Sequence, residues 1–214
     1  MSRLIKQAID FLSAAALLLF LSPLLACLGV AVWLSMGTPV LFGDVRAGYK
    51  GKPFMLVKYR TMNSLCDAHG QLLPDEQRLT RLGRVLRRFS LDEIPQFWNV
   101  CKGEMSLVGP RPLFVRYLER YAPEQARRHD VKPGITGWAQ INGRNALNWE
   151  DRFRMDVWYV DHGSLGLDAR IIFSTILKVL RGEGISQTGH ATMPEFRGSP
   201  QQNGQHEENV CLRS

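Results

Sequence analysis

A 24-residue segment without a charged side chain, Phe11 to Leu34, is the feature that most restricts how this 214-residue chain can fold. The rest of the chain is polar, because the mean hydropathy over all residues is only −0.15 and the net charge is +7. As a helix the segment would be about 36 Å long, enough to cross a hydrocarbon core of about 30 Å. A single transmembrane helix is therefore the simplest interpretation.

Ser22-Pro23, at the centre of this segment, argues against a straight helix. Proline has no backbone N–H, and its ring clashes with the carbonyl four positions earlier, here that of Leu19. The Ser22 hydroxyl can satisfy a carbonyl that the break leaves without a partner. Each half of the segment is about 16 Å long as a helix, roughly half the thickness of a bilayer. The sequence therefore predicts a helix that is broken at Ser22-Pro23.

Basic residues lie on both sides of the segment: Arg3 and Lys6 before it, and Arg46, Lys50 and Lys52 after it. Cationic residues near a membrane segment tend to stay on the cytoplasmic side. A helix that turns at its break and returns keeps both groups on that side, whereas a spanning helix sends one group across. We therefore predict a re-entrant hairpin, with a proline-kinked spanning helix as the alternative. A cleaved signal peptide is not favoured, because the apolar sequence is too long for one.

The remaining sequence predicts one α+β domain, mainly helical, rather than a multi-span carrier. A short β-hairpin is expected within residues 41–62, where glycine turns precede a strand-like run. Helical spacing of apolar residues indicates further helices at Leu91–Cys101, Leu113–Tyr121, Trp149–Val160 and Asp168–Leu180. We expect a membrane hairpin over residues 1–36, a cytosolic domain at the membrane surface over 37–198, and a disordered polar tail over 199–214.

Residues 76–89 have the pattern of a basic amphipathic helix. Leu79, Leu82, Leu86 and Phe89 recur at helical spacing, and five arginines occupy the remaining faces. Such a helix is typical of a segment that lies on an anionic membrane surface. The alternative is a helix that packs its leucines into the core and leaves a basic face in water. The pattern alone does not decide between the two.

Asp92 and Glu93 are neighbouring carboxylates beside Arg87 and Arg88. Such a pair can supply a nucleophile or base and a metal ligand, and the arginines can neutralise phosphoryl charge. This combination indicates phosphate chemistry. The alternative is structural, because Ser90 and Glu93 have the spacing of a capping box, in which both side chains bond to backbone amides at the start of a helix.

Two loops rich in proline and glycine carry further arginines. Arg111 lies between Pro110 and Pro112, so its backbone is stiff and its position well defined, which suits bidentate binding of phosphate. The glycine-rich loop Lys132–Asn145 permits close backbone approach to a ligand and holds Arg144 near its end. Taken alone, the Arg111 turn is better explained as a turn whose arginine is merely solvated, and the glycine-rich loop is a weak signal. Neither the Walker spacing nor the dinucleotide-binding spacing is present.

Five segments, each a weak signal alone, form a specific combination. They are the Ser22-Pro23 helix, Lys58-Tyr59-Arg60-Thr61-Met62, Ser90-Leu91-Asp92-Glu93-Ile94-Pro95-Gln96, Ser106-Leu107-Val108-Gly109-Pro110-Arg111-Pro112 and Lys132-Pro133-Gly134-Ile135-Thr136-Gly137. Together they resemble the small monotopic bacterial sugar transferases, phosphoglycosyl transferases that start lipid-linked glycan assembly. The resemblance covers residues 1–198. Residues 67–79 and 189–192 are most similar to the members that load a diacetamido sugar phosphate for bacterial protein N-glycosylation.

The resemblance implies transfer of a sugar-1-phosphate from a UDP-sugar, such as UDP-N,N′-diacetylbacillosamine, to undecaprenyl phosphate, with release of UMP. It implies that Asp92 is the nucleophile that carries a covalent phosphosugar, and that Glu93 holds Mg²⁺ together with Asp92. The residues implied in binding the phosphates or the uridine are Lys58, Arg87, Arg88, Arg111 and Arg144. It also implies the cytoplasmic face of the bacterial inner membrane, with an anionic membrane surface and downstream glycosyltransferases as partners.

Two alternative functions, neither of them catalytic, are also considered for this sequence. A membrane-tethered basic protein that binds nucleic acid or anionic lipid without catalysis accounts for the net charge of +7 and the arginine-rich helix. A structural anchor for a glycan-assembly complex accounts for the membrane segment. Neither explains why the carboxylate pair, the Pro-Arg-Pro turn and the glycine-rich loop occur together. We therefore expect an enzyme, and no nucleic-acid partner.

Overall fold

A computed structural model of the chain describes residues 3–143, 147–181 and 195–198. The described part is mostly helical, with two small two-stranded sheets. It therefore agrees with the mainly helical α+β fold expected from the sequence. The predictions for Arg144 and for the 199–214 tail lie outside the described residues.

The apolar N-terminal segment forms two helices, α1 (Arg3–Phe20) and α2 (Ser22–Met36), bent by 63° with respect to each other. Pro23 lies in the first turn of α2, and the Ser22 hydroxyl donates to the Leu19 carbonyl oxygen at 2.8 Å. The predicted break, and the role of Ser22 in it, are thus confirmed. Within the described residues no single helix is long and apolar enough to cross a membrane, although the bent pair is, by length and composition.

Both arms of the bent pair pack against the rest of the molecule. On α1, the buried Asp10 carboxylate accepts the Ser106 hydroxyl at 2.7 Å and the Leu107 amide at 3.3 Å. On α2, the Leu25 carbonyl oxygen accepts the Tyr59 hydroxyl at 2.7 Å. Because a buried carboxylate is costly without such partners, Asp10 fixes the place where the N-terminal arm docks.

The predicted β-hairpin is present, formed by β1 (Leu41–Ala47) and β2 (Pro53–Tyr59) in antiparallel register. The buried Asn99 side chain forms two hydrogen bonds with the backbone of β2. It accepts the Val57 amide at 3.1 Å and donates to the Met55 carbonyl oxygen at 2.7 Å. The hairpin is thereby fixed against the helices that follow it.

The basic segment over residues 76–89 is not one helix. It is divided between α3 (Asp75–Arg78) and α4 (Arg81–Arg88). The Thr80 hydroxyl accepts the Gly83 amide at 2.9 Å, so Thr80 is the N-cap of α4. The predicted continuous helix is therefore wrong, because this cap begins a new helix within it.

The predicted helix over Leu91–Cys101 is also divided, into a 3₁₀ helix, Leu91–Gln96, and α5, Phe97–Cys101. Pro95 lies inside the 3₁₀ helix, where it removes a backbone donor that a continuous α-helix would use. The next predicted helix, which follows the Pro-Arg-Pro turn, is likewise a 3₁₀ helix, Val115–Arg120.

The two long C-terminal helices agree with the prediction, as α8 (Trp149–His162) and α9 (Leu165–Arg181). Shorter elements precede them: α6 (Pro123–Ala126), a 3₁₀ helix (Arg127–Asp130) and α7 (Trp138–Ile141). A parallel sheet of β3 (Ser106–Val108) and β4 (Gly134–Thr136), which the sequence did not predict, joins the Pro-Arg-Pro turn to the glycine-rich loop.

Two glycines of that loop, Gly134 and Gly137, lie close to the backbone of Gly109. A Cβ on Gly134 would lie 2.1 Å from the Gly109 amide nitrogen, and one on Gly137 would lie 2.2 Å from the Gly109 carbonyl oxygen. No side chain fits at such distances. The prediction that these two glycines make room for a ligand is therefore corrected, because they make room for the backbone that leads to Arg111.

Candidate active site

Asp92 and Glu93 lie in the first turn of the 3₁₀ helix that follows α4. Ser90, between the two helices, has a φ of 53°, in the left-handed region that costs a non-glycine residue about 1–2 kcal/mol. Its side chain makes no capping hydrogen bond, and its amide donates to the Arg87 carbonyl oxygen at 3.1 Å. The predicted capping box is therefore wrong. The strained turn instead directs the carboxylates toward a group of cations.

Glu93 is held by Arg111 from the Pro-Arg-Pro turn. The Arg111 guanidinium donates to both carboxylate oxygens, with Nη2–Oε1 at 2.6 Å and Nη1–Oε2 at 3.5 Å. The charge of Glu93 raises the pKa of the Arg111 guanidinium. Pro110 and Pro112 are both buried, so the turn that carries this arginine is anchored on both sides. The structure thus brings together two residues that the sequence singled out separately.

Asp92 is 7% exposed, and its environment opposes ionisation. Burial and then the charge of Glu93 raise the pKa of Asp92 to about 6, whereas Lys58, Arg87 and Arg111 act in the opposite direction. At neutral pH most of the Asp92 carboxyl groups are ionised, because the pKa still lies below 7. Asp92 is therefore a poorly solvated carboxylate in a cationic surrounding.

Lys58 and Arg87 are the other cations at the carboxylates. Lys58 is half-buried on β2, and burial lowers the pKa of its ammonium group. The charges of Arg111 and Arg87 lower this pKa further, and those of the two carboxylates oppose them. The Arg87 Nε donates to the buried Thr61 hydroxyl at 3.1 Å, which fixes the direction of its side chain.

Arg88 and Arg144 are not brought to the carboxylates by the described structure. Arg88 is exposed, and its guanidinium lies 5.7 Å from the centre of the Phe89 ring. Arg144 lies outside the described residues. The predicted roles of both in binding phosphate or uridine stay predictions.

The donor set suits a hard divalent cation. In the described ranges 3–143, 147–181 and 195–198, no group of three or more His, Cys, Asp or Glu side chains forms a metal cage. Mg²⁺ is commonly bound by one or two carboxylates together with water and substrate phosphates, so it needs no such cage. Asp92 and Glu93 offer that number of carboxylates, and the predicted Mg²⁺ fits them on these grounds.

A mostly apolar groove of about 130 Å³ opens beside Glu93. Its apolar lining comes from the 3₁₀ helix, α5, β4, α7 and α9, as Ile94, Phe97, Ile135, Ile141 and Val179. Lys178 of α9 also lines it. The outer face of α9 is apolar as well, with Phe173 64% and Leu180 73% exposed. An apolar groove thus lies beside Glu93, and a separate apolar face of α9 is exposed.

Three charged residues behind Arg111 were missed at the sequence level. Arg128, Arg152 and Asp156 are all buried, and Asp156 accepts hydrogen bonds from Arg128. Burial lowers the pKa of Arg152 to about 10. Arg152 and Asp156 are four residues apart on the predicted C-terminal helix, so helical spacing could have placed them on one face. No sequence signal connects them with Arg128.

The arrangement can perform nucleophilic chemistry on an anionic phosphorus group. The cations neutralise charge on the incoming group, as phosphoryl transfer requires, and the poorly solvated Asp92 carboxylate supplies an attacking oxygen. Ordinary surface carboxylates lack both properties.

Comparison with known proteins agrees with the predicted family. The model of the family described as "Bacterial sugar transferase" matches residues 1–182. The chain is 54% identical to the uncharacterized sugar transferase EpsL of Bacillus subtilis over 196 residues, which cover 92% of this chain and 97% of EpsL.

Two longer relatives carry names that specify a reaction. The chain is 42% identical over 187 residues to a UDP-glucose:undecaprenyl-phosphate glucose-1-phosphate transferase of Escherichia coli. It is 39% identical over 188 residues to a UDP-N-acetylgalactosamine-undecaprenyl-phosphate N-acetylgalactosaminephosphotransferase of Aeromonas hydrophila. These matches cover 83% and 84% of this chain, but only 40% and 44% of the two relatives. The chain therefore belongs to the bacterial sugar transferase family and is an enzyme, a phosphoglycosyl transferase.

Proposed function

We propose that this chain transfers a sugar-1-phosphate from a UDP-sugar to undecaprenyl phosphate and releases UMP. The relatives named after this reaction support the proposal, as does the family to which the chain belongs. The observation that carries it is the buried Asp92 carboxylate beside an Arg111-bound Glu93. Family and site favour catalysis over the alternative of a non-catalytic basic protein that binds nucleic acid or anionic lipid.

The proposed reaction has two steps at one phosphorus atom. In the first, an Asp92 carboxylate oxygen attacks the β-phosphorus, and the bond from that phosphorus to the bridging oxygen breaks, so UMP leaves with this oxygen. In the second, a phosphate oxygen of undecaprenyl phosphate attacks the same phosphorus and releases Asp92. A covalent relay of this kind lets the soluble donor and the lipid acceptor use one site in turn.

Cationic residues have a defined task in both steps. Lys58, Arg87 and Arg111 surround Asp92 and would bind the phosphate oxygens of the donor, since an anionic attacker is otherwise repelled. A bound Mg²⁺, held by Asp92 and Glu93, would supply further charge neutralisation. Arg111 keeps Glu93 oriented for this purpose through its bidentate contact.

The lipid acceptor requires a site at headgroup depth, and the bent helix pair supports a re-entrant insertion. The Lys6 ammonium on α1 pairs with Asp168 of α9 at 2.6 Å, and Val32 of α2 is fully buried. At the bend, by contrast, Leu19 and Phe20 are 79% and 81% exposed. Both arms thus dock on the same body while the bend projects from it. A helix that spans the bilayer would separate its two ends.

The groove beside Glu93 offers a path for the polyprenyl chain. Its lining is mostly apolar, and Lys178 supplies a positive charge within it. On α4, Arg81, Arg84 and Arg88 are exposed, which suits an anionic membrane surface. We place the enzyme on the cytoplasmic face of the bacterial inner membrane, where the basic flanks of the helix pair belong. Glycosyltransferases that extend the lipid-linked sugar are the expected partners.

The donor we propose carries a diacetamido-trideoxy sugar such as N,N′-diacetylbacillosamine, on the resemblance of residues 67–79. The named relatives include enzymes for glucose and N-acetylgalactosamine, so the donor requires a direct test. UMP release is measured with detergent-solubilised protein, undecaprenyl phosphate, Mg²⁺ and a panel of UDP-sugars. Turnover of one donor supports the function and identifies the sugar. No turnover of any donor contradicts the function, and a preference for glucose contradicts the diacetamido assignment.

A further inference from the structure

A buried ion pair lies directly behind Arg111. Arg128, in the 3₁₀ helix that follows α6, donates to the Asp156 carboxylate of α8, through Nη2 at 2.7 Å and Nε at 3.1 Å to Oδ2. Both residues are only 2% exposed. A buried ion pair is a weak source of stability, because desolvation of the two charges offsets their attraction. We therefore look for a role of this ion pair other than stabilisation of the fold.

The same arginine also contacts the active-site turn. The Arg128 Nη2 donates to the backbone carbonyl oxygen of Arg111 at 2.7 Å. A planar guanidinium can bind two oxygens in fixed directions at once, which a lysine ammonium does less well. Arg128 thus connects Asp156 of α8 to the main chain of Arg111, whose side chain in turn holds Glu93.

The segment that carries Arg128 is itself fixed. A ring nitrogen of the neighbouring His129, Nδ1, lies 3.1 Å from the Gly48 carbonyl oxygen, and His129 is buried. Close to this contact, the Ala47 amide donates to the Leu113 carbonyl oxygen at 2.9 Å, two residues after Arg111. The backbone that carries Arg128 is therefore held in place by neighbouring segments. A residue can position another residue only if it is itself held in this way.

We propose that Arg128 and Asp156 are positioning residues for the transferase reaction. They hold the Arg111 backbone where its guanidinium meets Glu93 and the donor phosphates, without touching the substrate themselves. This inference rests on the proposed function. It predicts that removal of the pair changes catalysis even when the fold is kept, because a small displacement of a catalytic group has a large effect on rate.

The chain provides a matched control. Arg127 and Asp161, on the same two elements, also form an ion pair, but their side chains are 39% and 42% exposed. Arg127 also pairs with Glu124, and neither partner takes part in the contacts described for Arg111. The two pairs thus differ in burial and in contact with the active-site turn.

The test replaces each pair with apolar side chains of similar size. Arg128→Met/Asp156→Leu removes both charges of the pair, because removal of one alone leaves an uncompensated charge. It also takes the charge of Asp156 away from the buried Arg152, so the stability of the variant is measured beside its kinetics. Arg127→Met/Asp161→Leu is the control. Melting temperature, and kcat and KM for UMP release, are measured with the UDP-sugar that the wild-type protein uses best.

We expect the buried replacement to lower kcat by at least about tenfold and to raise the KM for the UDP-sugar in the protein that remains folded. The control should keep the wild-type values. An active fraction that is merely smaller lowers kcat but leaves KM unchanged, so a purely structural role predicts no change in KM. Wild-type kcat and KM in the buried variant, or a lower kcat with an unchanged KM, overturn the proposal.

Arg128→Lys covers the case in which the double variant does not fold. It keeps a positive charge beside Asp156 but gives up the second, directed hydrogen bond to Arg111. A raised KM for the UDP-sugar supports the positioning role, and wild-type kinetics overturn it. Failure of the proposed function itself is seen separately, as the absence of UMP release from the wild-type protein.

Discussion

At the residue scale, the role proposed for Asp92 needs an ionised carboxylate, whereas the buried surroundings of Asp92 disfavour ionisation. Its pKa is raised from 3.8 to about 6, first by burial and then by Glu93. A carboxyl group whose pKa is higher in the folded than in the unfolded state destabilises the fold above its folded pKa. The cost is absent below the unfolded pKa and grows as the pH rises from about 4 to 6. The ionised carboxylate that the proposed reaction requires thus lowers the stability of the fold.

Asp92→Asn is therefore expected to stabilise the protein while it abolishes UMP release. A shift of about two pKa units corresponds to roughly 3 kcal/mol at pH 7, and the gain should vanish near pH 4. Thermal unfolding of the metal-free wild-type and variant proteins at both pH values measures this. An equal gain at the two pH values would contradict the electrostatic cause.

Arg87 and Arg88 are neighbours in sequence with different surroundings, so they form a matched pair. Arg87→Gln should lower the rate of UMP release by more than about tenfold, because Arg87 lies among the cations at Asp92. Arg88→Gln should lower the rate less than Arg87→Gln and should weaken binding to anionic vesicles, because Arg88 is exposed. A steady-state assay and vesicle co-sedimentation measure the two effects. The reverse order of rates would contradict this assignment.

The local sequence was sufficient to predict the positions of some site residues but not of others. The stiff Pro-Arg-Pro turn predicts a well-placed Arg111, and the structure places it on Glu93. The capping box failed because Ser90 adopts a left-handed backbone that spacing cannot reveal. Arg128 and Asp156 are separated by 27 intervening residues, so only tertiary packing brings them together.

At the element scale, α4 is held close to the strand that carries Lys58. A Cβ on Gly83 would lie 2.0 Å from the Thr61 carbonyl oxygen. This approach also brings Arg87 to the Thr61 hydroxyl. The position of α4 thus depends on one glycine, which the sequence pattern of leucines and arginines did not indicate.

Gly83→Ala should therefore lower both stability and activity. We expect a loss of about 1–3 kcal/mol, because the new methyl group meets backbone that cannot move aside easily. Gly166→Ala is the control, since a Cβ there would have nothing within 4 Å and alanine favours a helix. Chemical denaturation of both variants measures the difference. Equal stability of the two would contradict the close contact.

The bent helix pair leads to a prediction about topology. Both arms dock on one body, so residues on the two sides of the apolar segment should lie on the same side of the membrane. Ser2→Cys and Val45→Cys, placed in a background whose native cysteines are replaced by serine, are tested with a membrane-impermeant thiol reagent on intact cells. Both should be labelled only after permeabilisation. Labelling of one of them in intact cells would favour a spanning helix.

Sequence predicted the elements better where they are long and regular. The break at Ser22-Pro23, the β-hairpin and the two C-terminal helices follow from proline chemistry and from periodicity. The short parallel sheet of β3 and β4 has three residues in each strand and pairs segments distant in sequence. Such a sheet has too little local pattern to predict, and it gives Gly134 and Gly137 a structural role.

At the scale of the whole molecule, we propose that the helix pair and the carboxylates act together at the membrane surface. The helix pair would set the depth of insertion, and the groove beside Glu93 would hold part of the polyprenyl chain. A near-average mean hydropathy of −0.15 and a net charge of +7 are both consistent with a polar domain that is held at an anionic membrane face.

The central claim is that Asp92 carries the sugar phosphate between donor and acceptor. The most direct measurement is mass spectrometry of the protein after incubation with its UDP-sugar and Mg²⁺ in the absence of undecaprenyl phosphate. We expect one equivalent of UMP and an adduct of one sugar phosphate on the peptide that contains Asp92. The adduct should disappear when undecaprenyl phosphate is added and should be absent from Asp92→Asn. Release of UMP only when the acceptor is present, with no adduct on this peptide, would contradict the role of Asp92 as nucleophile.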